Sequence, residues 1–182
     1  MPLCALLAWT AVRSCNPSGR TPAGRSSHRP GGPEITVAGE QSDNSEGVNR
    51  LIERYNDAWN RHDVESIVAM HAPGMVFENH TAGERVEGEA VRDHVASIFA
   101  SWPDLRFKTR RLYVHDGLAV CEWTASATHT QTMRRSGLVA EPTGERLEWE
   151  GVDIFPIENG RILRKDVYAD SLSILRGVGL AP

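Results

Sequence analysis

The chain has 182 residues, enough for one domain with a segment left over. Its 40% hydrophobic and 24% charged content fits a soluble globular protein. A formal net charge of −4 offers no footprint for nucleic acid or an anionic membrane surface, so neither is expected as a partner. The three cysteines, Cys4, Cys15 and Cys121, are too few and too scattered for a disulfide framework or a zinc cluster. The histidines show no HxH or HExxH spacing, and no metal site is expected.

Residues 1–44 carry no folding signal. Ser14 to Pro33 is rich in Gly, Pro, Ser and Arg without apolar periodicity, and no acidic residue precedes Glu34. Leu3 to Val12 is apolar but short, and its basic residue, Arg13, follows it, which is the wrong flank for a secretory signal. No apolar run is long enough to cross a membrane, so a cytoplasmic protein is expected. Residues 1–44 are expected to be a disordered or artefactual extension. An organellar transit peptide and an upstream-placed start codon are the other readings of this composition.

A folded domain is expected over residues 45–182, with Ser45 as the first N-cap. Leu51, Tyr55 and Trp59 recur at helical spacing, with Ile52 and Ala58 beside them. Asp63 can cap a second short helix carrying Val64, Ile67 and Val68, which Pro73-Gly74 would end. Met75 to Asn79 reads as a short strand and Glu84 to Gly88 as a polar connection. Val91, Val95, Ile98 and Phe99 make a third amphipathic helix, stopped at Trp102-Pro103.

The period then changes to two. Leu105 to Val114 and Leu118 to Gln131 read as strands around the turn His115-Asp116-Gly117. Thr132 to Gly144 is a polar loop. Leu147 to Asp170 reads as a hairpin turning at Asn159-Gly160, because Asn-Gly supplies the positive φ angles that a two-residue turn needs. Asp170 or Ser171 can cap a last helix that ends at Gly177. Helices followed by long strands predict an α+β fold with an antiparallel sheet, the helices packed on one face.

One carboxylate stands out within the hairpin. Trp149, Gly151, Asp153 and Phe155 share a face, while Glu148 and Glu150 mark the other as wet. Asp153 therefore sits on the apolar face, where burial disfavours its charged form unless a partner offsets this. Groups perturbed in this way gather at functional sites, and a satisfied core hydrogen bond is the structural alternative.

The element order, with the phrase YNDAWNRHDVESIVAMHAPGMVFEN, Trp102-Pro103-Asp104, EWTASATHT, Pro142-Thr143-Gly144 and Ile157 to Ile162, resembles the nuclear transport factor 2-like superfamily. The resemblance covers nearly all of residues 47–180 and is greatest to the SnoaL-like branch, which includes small polyketide cyclases. It implies a cone-shaped α+β fold, a curved antiparallel sheet around a long first helix, and a homodimer. It also implies a pocket for a small apolar molecule, and an enzyme of cyclase or isomerase type that needs no cofactor. A non-catalytic binding or assembly module of the same fold is the alternative.

Tyr55 to Asn79 also resembles the opening of the steroid Δ5-3-ketoisomerases, which pair a tyrosine with a protonated aspartic acid as an oxyanion hole. By that resemblance Tyr55 is the tyrosine and Asp153 the acid, while the base position holds Asn79. The acid of the cyclases falls on Val167, with Asp166 one residue away and pointing to the other face. Two positions of the epoxide hydrolase trio hold Trp123 and Ala125, and the third is Val167, so that chemistry is not expected. The expected catalytic residues are Asp153, Tyr55 and His129, with the proton moved by His129 or, as alternatives, Glu78 or His80. Trp59, Asn79, Phe99, Trp123, Trp149, Phe155 and Tyr168 are the expected pocket wall.

Overall fold

A computed structural model of the protein describes residues 43–135 and 138–181. The expected extension lies outside the described residues, apart from Asp43 and Asn44, which open the first helix.

Helix α1 (Asp43–Asn60) starts two residues before the predicted Ser45 cap. It buries Leu51, Ile52, Tyr55, Ala58 and Trp59, the stripe its periodicity predicts. Asp63 caps helix α2 (Val64–Ala69) by accepting from the Ser66 backbone N–H at 3.0 Å. Strand β1 (His71–Asn79) follows at once. Pro73-Gly74 thus lies inside a strand rather than ending a helix. The chain tolerates it because the register of β1 slips between His71 and Val76, a bulge that spares the ladder. Glu84–Glu87, expected as a connection, forms the edge strand β2, antiparallel to β1. Helix α3 (Ala90–Ser101) buries Val91, Val95 and Phe99 and stops at Trp102, as predicted.

Strands β3 (Arg106–His115) and β4 (Leu118–Thr128) form the predicted hairpin. The expected loop from Thr132 to Gly144 carries two three-residue strands, β5 (Met133–Arg135) and β6 (Leu138–Ala140). Strands β7 (Arg146–Glu158) and β8 (Arg161–Ala169) turn at Asn159 and Gly160, with φ of 51° and 70°. Asp170 caps helix α4 (Ser171–Gly177) through the Ser173 backbone N–H at 3.1 Å.

The main sheet runs β2-β1-β8-β7-β4-β3 and is antiparallel except where β1 joins β8 in parallel. Slips in β1, in β3 between Thr109 and Arg111, and between β7 and β8 bend it into the curved, unclosed sheet of the predicted fold class. Helix α1 fills the concave side. Asn60 ties it there, donating to the Phe107 carbonyl at 2.9 Å and accepting from the Phe107 N–H at 2.7 Å. Among the described residues no helix is long and apolar enough to cross a membrane.

Candidate functional site

Between the concave face of the sheet, α1 and α3 lies a cavity of about 310 Å³. Strand alternation decides what reaches it. On β7, Trp149 and Asp153 point inward; on β8, Lys165 and Val167 do; on β4, Trp123 does. Trp59 of α1 and His94 of α3 close the helical side. Gly151 makes room for the Trp123 indole, since a Cβ there would lie 2.3 Å from the ring. A glycine is therefore built into the wall so that a tryptophan can lie flat on the strand.

Asp153 is 4% exposed and its carboxylate pairs directly with Nζ of Lys165, a residue 5% exposed. The two stand diagonally on neighbouring strands, Asp153 being opposite Val167 in the ladder. The Lys165 ammonium also lies 4.9 Å from the Trp59 ring centroid, 5.1 Å from that of Phe155 and 5.6 Å from that of Tyr55. A buried charge is tolerable only when paired, and this pair is enclosed by three aromatic faces. Both members line the cavity. Asp153 Oδ1, Trp59 Nε1, Trp123 Nε1 and His94 Nε2 are buried atoms without a hydrogen-bond partner among the described residues. These atoms are buried within residues that form the wall, and the Trp59 indole lies close enough to the Tyr55 hydroxyl to lower its pKa slightly against the larger effect of burial. Burial lowers the His94 pKa, with the Glu84 carboxylate 3.9 Å away acting in the opposite sense.

The family profile of the SnoaL-like domain matches residues 52–165, more than half of the chain. The protein belongs to the SnoaL-like domain family. No curated protein matches it. Among solved structures it is similar to a candidate SnoaL-like polyketide cyclase from Jannaschia sp. CCS1, at 17% identity and a TM-score of 0.69, over 80% of this chain and 100% of that one. It is also similar to IdmH, a candidate polyketide cyclase from Streptomyces antibioticus, at 22% identity and a TM-score of 0.61, over 72% and 97% of the two chains. AclR, a candidate hydroxylase from Streptomyces galilaeus, follows at 20% identity and 0.65, over 76% and 88%. At these identities the likeness shows the fold.

Within this SnoaL-like domain the predicted site residues divide. Asp153, Trp59, Asn79, Trp123 and Trp149 line the cavity; Tyr55, His129, Phe99, Phe155 and Tyr168 do not. Tyr55, expected to partner Asp153, instead shares a 3.0 Å hydrogen bond with His71 Nε2. It is fully buried, and burial pushes its hydroxyl pKa well up. His71 is 8% exposed, and burial together with the nearby Lys165 charge pulls it down to about 4. His129, expected to shuttle protons, accepts from the Thr143 N–H at Nδ1, 3.2 Å away, and its backbone bonds Glu145 and Gly144. These bonds tie it to the loop after β4, while its Nε2 is buried without a partner among the described residues.

Phe99 stacks on His62 at 4.2 Å and meets Trp59 edge-on, one layer behind the cavity wall. Phe155 is fully buried against Tyr55. Tyr168 points to the convex side, 47% exposed, and stacks on His80 at 4.6 Å. Asp166 also takes that side, as predicted, bonded to Arg164 and His80, and the Arg164 guanidinium lowers its pKa. Asn79 reaches the cavity wall, but its carboxamide oxygen accepts from the Ala82 N–H at 3.0 Å. Neither Lys165, one polar position on β8, nor His94, one polar position on α3, carries a sequence signal that sets it apart.

Proposed function

We propose that the cavity binds a small, mostly apolar carbonyl compound, and that the protein is a cofactor-independent acid–base enzyme of cyclase or isomerase type. The buried Asp153–Lys165 pair on the wall of a 310 Å³ cavity walled by four tryptophans carries this reading. With its Oδ2 held by Lys165, Asp153 presents Oδ1 as a base for a proton α to the carbonyl. The Lys165 ammonium and the unpartnered indole N–H of Trp123 would receive the developing oxyanion. The family and its candidate cyclase neighbours support the substrate class. A phenol, mimicking the enolate, tests the site. Trp59, Trp102, Trp123 and Trp149 all line the cavity, so binding should quench tryptophan emission. The affinity should drop about tenfold or more in Lys165→Met, the loss of one charged partner. Equal affinity in wild type and variant would refute the placement.

Asn79 at the isomerase base position and Val167 at the cyclase acid position favour a second reading, a binder that uses the same cavity without turnover. The two readings separate on proton exchange, since a binder would hold a ketone and leave its α-hydrogens in place.

A further inference from the structure

We propose that Lys165 is a carbonyl-reactive amine that condenses with the bound ligand to form an imine. This rests on the reading of the cavity as a carbonyl site and goes beyond it. Four observations converge. Nζ belongs to a side chain that is 7% exposed, yet the residue lines the cavity. Three aromatic rings, 4.9 to 5.6 Å away, hold water off the amine. Asp153 Oδ2 is in direct contact as a proton acceptor. Finally, an arginine could hold Asp153 as well or better, forming two hydrogen bonds, but could not add to a carbonyl. Of 20 basic residues only Lys108 and Lys165 are lysines, and one of the two lies at this wall.

Amine nucleophiles are activated by desolvation and an adjacent base, and both are present. Nζ passes a proton to Asp153 and its lone pair attacks the carbonyl carbon. The C=O π pair moves to oxygen, which takes up a proton that the nitrogen sheds, giving a carbinolamine. Asp153 then returns its proton to that hydroxyl. The C–O bond breaks, water leaves, and the nitrogen lone pair closes a C=N bond, giving a protonated imine with Asp153 again a carboxylate. The cation then serves as the electron sink when an α-proton is removed, and hydrolysis reverses the sequence.

Reductive trapping decides it. The full chain is incubated with an aromatic aldehyde or a cyclic ketone and cyanoborohydride, and the adduct is mapped by peptide mass spectrometry. The expected result is one addition on the peptide carrying Lys165, well ahead of the exposed Lys108. It should vanish in Lys165→Arg and fall about tenfold or more in Asp153→Asn. Label confined to Lys108 or the chain terminus of the wild type would overturn the inference, whatever the variants do. Quenching by the same carbonyl without reductant is read alongside. Binding with no adduct on Lys165 overturns the imine and leaves the carbonyl site standing; absence of binding overturns both.

Discussion

Asp153 and Lys165 bury opposite charges within an aromatic enclosure, and their energetics are those of a pair rather than of two residues. Removing one partner leaves an uncompensated charge, so Asp153→Asn or Lys165→Met should each cost about 3–5 kcal/mol. The double variant should recover much of that loss, and a double-mutant cycle in urea denaturation measures the difference. Additive losses would mean the two do not act as a pair. His71 supplies a pH dependence. Its folded pKa of about 4 lies below the unfolded value of 6.5, so between them the unfolded chain binds the extra proton. This contribution is intact above pH 6.5 and is lost as pH falls towards 4, in total on the order of 3 kcal/mol. Denaturation at pH 7 and 4.5 should show the loss, and His71→Gln should flatten it; equal slopes would refute the assignment. At this scale the sequence was half legible. Period-two alternation placed Asp153 on the buried face, but nothing local marks Lys165 as buried. The slip between β7 and β8 lets both Ile162 and Lys165 face inward, and pairing geometry of that kind has no signature along one strand.

Elements with strong periodicity were readable, and weak edges were not. Helices α1 and α3, the β3–β4 hairpin and the Asn159-Gly160 turn follow from patterns of 3.6 and 2 and from turn chemistry. Strands β2, β5 and β6 are three or four residues long, too short to carry a periodic signal, so only their partners make them strands. The start of β1 was obscured by Pro73-Gly74, which usually breaks structure and here rides on a bulge. Tyr55 lies on the buried face of α1 where its spacing puts it, and β1 begins early enough to bring His71 to its hydroxyl. Packing between elements gives a direct test at Gly151. A methyl group there collides with the Trp123 ring, so Gly151→Ala should destabilise by about 1–3 kcal/mol and disturb the cavity wall. A thermal midpoint unchanged from wild type would contradict the contact.

At the scale of the whole molecule, the sheet divides labour between its faces. The concave face holds the cavity, while the convex face carries Tyr113 and Tyr168, 53% and 47% exposed, among ion pairs such as Arg164–Glu78 and Arg111–Glu122. We propose that this face pairs two copies, so sedimentation at micromolar concentration should give a dimer; a monomer would count against it. The central claim concerns the other face. Incubating a cyclic ketone with the protein in D2O and following its α-hydrogens by NMR measures enolisation at the cavity directly. Wild type should exchange them well above the buffer rate, and Asp153→Asn should lower that rate by about 10²–10⁴, the usual share of a positioned base. Exchange at the buffer rate, with the ketone demonstrably bound, would contradict an acid–base enzyme and leave a binding protein.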